Sequence, residues 1–153
     1  MRDERLKLLA IASVGGHWIQ LLRITKTLSD EFDVSYISTH HKCESMLSGQ
    51  IYYTITDFSR WDFYKLFPVF FQTINIIKKE NPAVVITTGA APGLITLMVA
   101  KLLKKRTIWI DSIANVEKLS LSGKIASKFA TKAYTQWSEL ATEKIIYAGN
   151  VLS

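Results

Sequence analysis

The sequence predicts an α/β fold in which a mostly parallel sheet carries helices on both faces, and three observations predict it. Apolar, β-branched runs alternate along the chain with stretches of helical spacing. Glycine-rich turns stand where several of these runs hand over to a helix. The chain has 153 residues and one cysteine, and at this size folding buries roughly 70% of the unfolded surface, so a core needs no disulfide or metal staple. Strands separated by helices need crossover connections, and crossovers build parallel sheets. A single domain over residues 1–153 is expected.

Taken in order, the first strand is expected over Leu6–Ser13, ending in the turn "SVGGHW" that opens a helix over His17–Asp30. A strand over Asp33–Thr39 and a short one over Tyr52–Thr56 follow, then a helix from about Phe63 to Glu80. Residues 81–100 are uncharged and approach the ~20 residues a helix needs to cross a bilayer. The β-branched "AVVITT" and the helix-breaking "GAAPG" argue instead for a strand over Val84–Thr88, a turn, and a helix over Pro92–Lys104. A strand over Arg106–Asp111, a helix from about Leu121 to Lys132, and strands over Tyr134–Trp137 and Lys144–Tyr147 complete the pattern. In such a sheet, ligands bind outside the carboxyl ends of the strands, where "SVGGHW", "TTGAAPG" and "DSIANVEKLS" all fall.

The net charge is +6, and between Lys101 and Lys132 seven lysines and Arg106 face only Asp111 and Glu117. A basic face of this kind suits anionic lipid, nucleic acid or a phosphorylated substrate, or serves only to keep the surface solvated. Nucleic acid is disfavoured, because no interleaved stacking aromatics and no recognised module accompany the charge. The start "MRDERLKLL" lacks the apolar core of a signal peptide. The lone Cys43 fits a reducing compartment, so a cytoplasmic setting is expected.

Several enzyme classes drop out. The first turn lacks G-x-G-x-x-G and the second strand ends in "STHH" without an acid for a ribose, which removes a nicotinamide cofactor. "SGK" at 122–124 lacks the rest of a phosphate loop, and there is no G-x-S-x-G elbow. "HHKC" at 40–43 has no partner cluster at metal spacing, so neither a metal nor any other cofactor is expected. What remains is a helix N-terminus opening on Gly15 and Gly16, whose free N–H groups and partial positive charge suit an anion or a polar oxygen. His17 in its first turn is placed to stay neutral and serve as a general base, or else merely packs at a turn.

"SVGGHWIQLLRI", "VVITTGAAPG", "TIWIDSIANVEKLSLSGKIASKFATKAYTQW" and "IIYAGNV" together resemble the acceptor-side subunit of two-component family 28 glycosyltransferases. That group includes bacterial PssD-type polysaccharide biosynthesis proteins and the eukaryotic asparagine-linked-glycosylation subunit that anchors a UDP-GlcNAc transferase. More distantly the chain is similar to the N-terminal half of the peptidoglycan transferase MurG. The resemblance spans essentially the whole chain and implies a Rossmann-like domain, the N-terminal half of a GT-B enzyme. It implies an inverting, metal-free transfer from a UDP-sugar to an undecaprenyl-diphosphate-linked saccharide in exopolysaccharide or capsule synthesis. A PssE-type donor-binding subunit would be the partner, with the UDP-sugar at the shared interface.

Carried over by position, the resemblance implies that Gly15 and Gly16 lie near the acceptor hydroxyl and donor phosphates and that His17 is the base. Gly89 and Gly93 would admit the acceptor head group, with Ser112 and Asn115 in the polar turn that Asp111 begins. Asp111 would orient His17, bind a sugar hydroxyl or act as a rival base; its other role is to cap or close a loop. Membrane contact is expected from Trp61, Phe63, Tyr64, Phe67, Phe70 and Phe71 with nearby lysines, and from Lys124 and Lys128, which with Lys132 would share one helical face. Attachment would be peripheral, on the inner face of the cell membrane. A non-catalytic membrane scaffold that recruits the catalytic subunit is the alternative.

Overall fold

The computed structural model describes residues 4–152. Seven strands, β1 (Leu6–Ile11), β2 (Phe32–Ser38), β3 (Tyr52–Thr54), β4 (Val84–Thr87), β5 (Arg106–Ile110), β6 (Lys132–Thr135) and β7 (Ile145–Tyr147), form one sheet in the order β3-β2-β1-β4-β5-β6-β7. Every neighbouring pair is parallel. The helices are α1 (Gly16–Leu28), α2 (Leu66–Glu80), α3 (Ala91–Leu102) and α4 (Leu121–Ala126). The expected α/β class holds, and the sheet is parallel throughout.

Both faces of the central strands are covered, which is why β1 and β4 are almost continuously apolar. Alternate residues serve two cores. Leu9, Ile11 and Val85 point into the layer formed with Val69, Ile77 and Leu97, whereas Leu8, Ala10 and Ile86 face Trp18, Leu21 and Tyr36 of the α1 side. Trp18 anchors α1, with its indole edge-on to Tyr36 and Tyr52 at 5.7 and 6.1 Å between ring centroids. Its buried Nε1 has no hydrogen-bond acceptor among the described residues. α2, α3 and α4 share the opposite face, α2 packing on α3 and α3 on α4.

The ends of most elements fall within two residues of the expected ones. The last helix differs: α4 stops at Ala126, the Ser127 hydroxyl folds back on the Lys124 carbonyl at 2.8 Å, and the chain turns so that Phe129 and Ala130 pack against the core. Thr107 and Thr131 then exchange two N–H to hydroxyl bonds of 3.0 Å, joining β6 to β5 from Lys132 onward, earlier than the expected start at Tyr134. Lys132 therefore opens a strand and does not share a helical face with Lys124 and Lys128. The "HHKC" stretch forms a 3-10 turn over His41–Met46, with the His40 and His41 rings stacked at 4.4 Å and Cys43 buried beneath.

One buried carboxylate ties α2 to the sheet edge. Glu80, at the end of α2, accepts hydrogen bonds from the Ser35 and Tyr53 hydroxyls. Burial first, and then the bond to Glu80, push the Tyr53 phenol up to about 12. Tyr53→Phe leaves the carboxylate with one side-chain donor and is expected to cost about 1–3 kcal/mol at neutral pH, read by urea denaturation. The folded phenol holds its proton more tightly than the unfolded one, whose value is 10.0. Its contribution is therefore full below the unfolded value and lost between that and about 12, so the gap between wild type and variant should narrow across this window.

Candidate functional site

The strand order reverses between β1 and β4: the chain leaves β1 toward β2 through α1 on one face, and leaves β4 toward β5 through α3 on the other. Loops after two adjacent strands part at such a switch and leave a crevice outside their carboxyl ends. Here those loops are Ala12–Gly15 and Thr88–Ala90. Gly15 at φ 102° and Gly89 at φ 135° occupy backbone regions that side chains disfavour. Neither α1 nor α3 has a side-chain cap or an acid in its first turn, so uncapped N–H groups and the positive ends of both helices open at the same crevice.

His17 stands between them. Its Nδ1 lies 3.0 Å from the Thr88 carbonyl, and the Thr88 hydroxyl donates to the His17 carbonyl at 2.6 Å. A carbonyl can only accept, so Nδ1 carries the hydrogen and the neutral ring keeps its lone pair on Nε2. Gly89 passes directly under the ring: a Cβ there would sit 2.7 Å from Cε1 and from Nδ1. The histidine is thus held in one tautomer and one orientation by a loop 71 residues away in the chain. Gly15 and Gly16, both exposed, flank it on the open side. Gly93 does not face the crevice; it is buried against Thr87, whose hydroxyl a Cβ would meet at 2.3 Å, so its role is to let α3 close onto β4.

Asp111 and Asn115 are turned inward on one another, and Ser112 faces Gln20. Asp111 is 1% exposed and accepts from the Trp109 indole, the Asn115 amide, and the Ser120 backbone and hydroxyl at 2.6–3.0 Å. Gly123 fits against it, since a Cβ would lie 2.4 Å from the carboxylate. No hydrogen bond joins Asp111 to His17; the expected orienting contact is made by Thr88 instead. The acid closes the 111–120 loop, the structural one of the roles the sequence allowed. Ser112 is committed in the same way, accepting from the Gln20 amide at 3.1 Å and the Ala114 backbone at 3.2 Å.

Gln20 and Gln136 are the residues that sequence reasoning missed. Gln20, one helical turn beyond His17 and 8% exposed, accepts from the Ile113 backbone at 3.1 Å and the Gln136 amide at 2.8 Å. Gln136 also donates to the Asp111 carbonyl and accepts from the Val151 backbone. The pair ties α1, the 111–115 turn, the end of β6 and the last described residues into one buried polar network. Both lie in stretches that carry the family resemblance, but neither has a charge or a spacing that marks it as buried and paired with a residue 116 positions away. A separate groove of about 400 Å³ opens beside α1, lined by Ile24, Leu28, Ile110, Tyr134 and Gly149 among others, and does not include His17 or Thr88.

Residues 59–151 match the family model described as "Oligosaccharide biosynthesis protein Alg14 like". The chain belongs to that family. An Alg14 UDP-N-acetylglucosamine transferase subunit from Yarrowia lipolytica is 26% identical over 88% of this chain and 75% of its own, and one from Mus musculus 25% identical over 97% and 84%. A UDP-N-acetylglucosamine–N-acetylmuramyl-(pentapeptide) pyrophosphoryl-undecaprenol N-acetylglucosamine transferase from Borrelia garinii is 26% identical over 89% of this chain and 42% of its own. Among solved structures, Acinetobacter baumannii MurG superposes with a TM-score of 0.79 at 16% identity, and a Methanocaldococcus jannaschii UDP-GlcNAc 2-epimerase with 0.74 at 17%. The Alg14-like chain covers 46% of each of these two structures, so it spans about half their length and shares their N-terminal fold.

The aromatic segment of this Alg14-like chain is largely uncovered. Trp61 is 81% exposed, and Phe63, Tyr64, Phe67 and Phe71 all exceed 60%. Phe70 is the correction: it is half-buried and packs against the core. Asp62, the acid of the segment, is paired with Lys65 at 2.9 Å. Lys124 and Lys128 are exposed. Among the described residues, no helix is long and apolar enough to cross a membrane. α2 leads from β3 back to the start of β4, so its aromatic N-terminus lies at the same end of the sheet as His17.

Asp111→Ala strips four donors of their acceptor and is expected to lower the unfolding free energy by about 3 kcal/mol in urea titration. Amides of residues 112–120 should exchange faster, while nitrogen NMR of His17 still reports the Nδ1–H tautomer. An unchanged melting curve would contradict the loop-closing role.

Proposed function

We propose that this chain is the acceptor-binding subunit of a two-chain inverting glycosyltransferase, and that His17 is its general base. The observation that supports this most is the fixed imidazole: Nδ1 is held by the Thr88 carbonyl, Nε2 has no hydrogen-bond partner among the described residues, and two uncapped helix N-termini flank the ring. Nε2 takes the proton from the acceptor hydroxyl as its oxygen attacks the anomeric carbon of the donor. The bond from that carbon to the diphosphate oxygen breaks, and the departing diphosphate carries the electron pair and the negative charge. Gly15 and Gly16 leave the start of α1 open to that charge, where backbone N–H groups and the helix dipole stabilise it. A base so placed contributes about 10²–10⁴-fold.

The relatives' names support UDP-GlcNAc as donor and a lipid-diphosphate saccharide as acceptor. The Alg14 relatives are named as transferase subunits, which supports a separate donor-binding, PssE-type subunit that completes the site around the UDP-sugar. The setting is polysaccharide synthesis, exopolysaccharide or capsule, on the cytoplasmic face of the membrane, with the exposed aromatics of residues 61–71 and Lys124 and Lys128 in contact with anionic lipid. Asp111 drops out as a rival base, because all its oxygens are engaged inside the protein.

A scaffold that only recruits the catalytic subunit has one observation in its favour, the uncovered aromatic segment. Transfer of sugar from UDP-GlcNAc to a polyprenyl-diphosphate saccharide, measured with the partner subunit present, separates the two. His17→Ala should lower turnover by at least 10²-fold with the complex still assembled by gel filtration. Full turnover by the assembled variant would establish the scaffold and overturn the base assignment.

A further inference from the structure

The "HHKC" turn after β2 takes no part in the site described so far, yet it stands beside it. β1 and β2 stay bonded past their last residues: the Ala12 N–H donates to the Ile37 carbonyl at 3.2 Å, the Ser38 hydroxyl to the Ala12 carbonyl at 2.7 Å, and the Val14 N–H to the Thr39 hydroxyl at 3.0 Å. His40, the next residue, therefore flanks the loop that leads through Gly15 to His17. Its backbone is pinned as well. The Tyr52 hydroxyl donates to the His40 carbonyl, and the Tyr52 ring meets the Trp18 indole edge-on. Trp18 follows His17 in α1, so both histidines hang from one packed cluster.

The His40 ring is fixed too. Its Nδ1 accepts the Lys42 backbone N–H at 3.1 Å, capping the 3-10 turn, and the His41 ring stacks on it at 4.4 Å with 27° between the planes. A nitrogen that accepts holds no hydrogen, so the neutral ring carries its hydrogen on Nε2. His17 has the opposite tautomer, with the lone pair on Nε2. His40 is half-buried, and its Nε2 has no hydrogen-bond partner among the described residues. Serine or asparagine would cap the turn as well; the imidazole adds a second nitrogen that the cap does not use. Lys42 and Glu44 of the same turn are exposed and opposite in charge, so a neutral donor between them suits an uncharged oxygen better than a phosphate.

The β1 and β2 loops thus present two imidazoles of opposite polarity, one that takes a proton and one that gives a hydrogen bond. A saccharide offers the matching pair: a hydroxyl that yields its proton, near a hydroxyl or amide oxygen that accepts. We infer that His40 is a specificity-determining residue for the acceptor, its Nε2–H binding an oxygen of the attacking sugar and so selecting which hydroxyl reaches Nε2 of His17. This rests on the reading above, in which a saccharide acceptor meets His17 in the crevice.

His40→Asn keeps an acceptor for the Lys42 N–H but falls short of the Nε2 position, so its urea unfolding should match wild type. Turnover is measured with the partner subunit present and a short-chain polyprenyl-diphosphate N-acetylglucosamine as acceptor. The acceptor KM should rise by roughly three- to tenfold, the worth of one uncharged hydrogen bond, while kcat and the KM for UDP-GlcNAc stay within about twofold. A rise shared by both substrates, a fall in kcat at constant acceptor KM, or no change would overturn the assignment. Nitrogen NMR of the full chain, titrated with the same acceptor, should place the hydrogen of His40 on Nε2 and shift that nitrogen on binding. A hydrogen on Nδ1, or an Nε2 that does not respond, would overturn it as well. This second readout needs no turnover and so separates the two ideas: should His17→Ala retain full turnover, the base assignment falls while the His40 response stands.

Discussion

The reversal of strand order between β1 and β4 is the constraint on which the remaining structure depends. A right-handed crossover puts the connection leaving β1 toward β2 on one face, and those running back through β4, β5 and β6 on the other. α1 therefore stands opposite the α2–α4 layer. The two loops at the switch cannot pack on each other as neighbouring connections would, and what fills the gap is the His17 ring, laid on Gly89 and bonded to Thr88. A glycine at 89 is required twice over, by its backbone angle and by the ring above it. The crevice and its candidate base are thus consequences of topology before they are consequences of any motif.

Polar groups buried behind this crevice are economical. Asp111 spends its oxygens on a loop of its own making, and Gln20 and Gln136 use amide oxygen and nitrogen alike to join segments that no backbone ladder connects. Unpaired polar groups in a low-dielectric interior are costly, so a network of this kind fixes one arrangement of α1 relative to the 111–115 turn. It also connects His17's helix to the end of the described chain through Gln136 and the Val151 backbone.

Charge is divided between the helices and the segments that join them: Glu80 is the sole acid across α1 to α4, and α1 carries Arg23 and Lys26 just as the opposite layer carries its lysines. The lysines between 101 and 132 form one segment of the chain but not one element: Lys101 lies on α3, Lys124 on α4 and Lys132 at the start of β6.

By itself the sequence determined what neighbours along the chain decide. Alternation of β-branched and helical runs specified the α/β class and most element ends, and the glycines with His17 at the first turn marked the crevice. Local pattern could not settle where the chain turns after Ala126, because packing of Phe129 and the Thr107–Thr131 exchange ended α4 early. Nor could it choose among the roles open to Asp111, since its donors and the partners of His17 are set by the fold. Those contacts bridge 71 residues between His17 and Thr88 and 116 between Gln20 and Gln136. Only the tertiary structure brings such distant groups within hydrogen-bond reach, and so only it decided which loop holds the His17 ring; the donors to Asp111 lie within nine residues of it, and there the conformation of the loop made the choice.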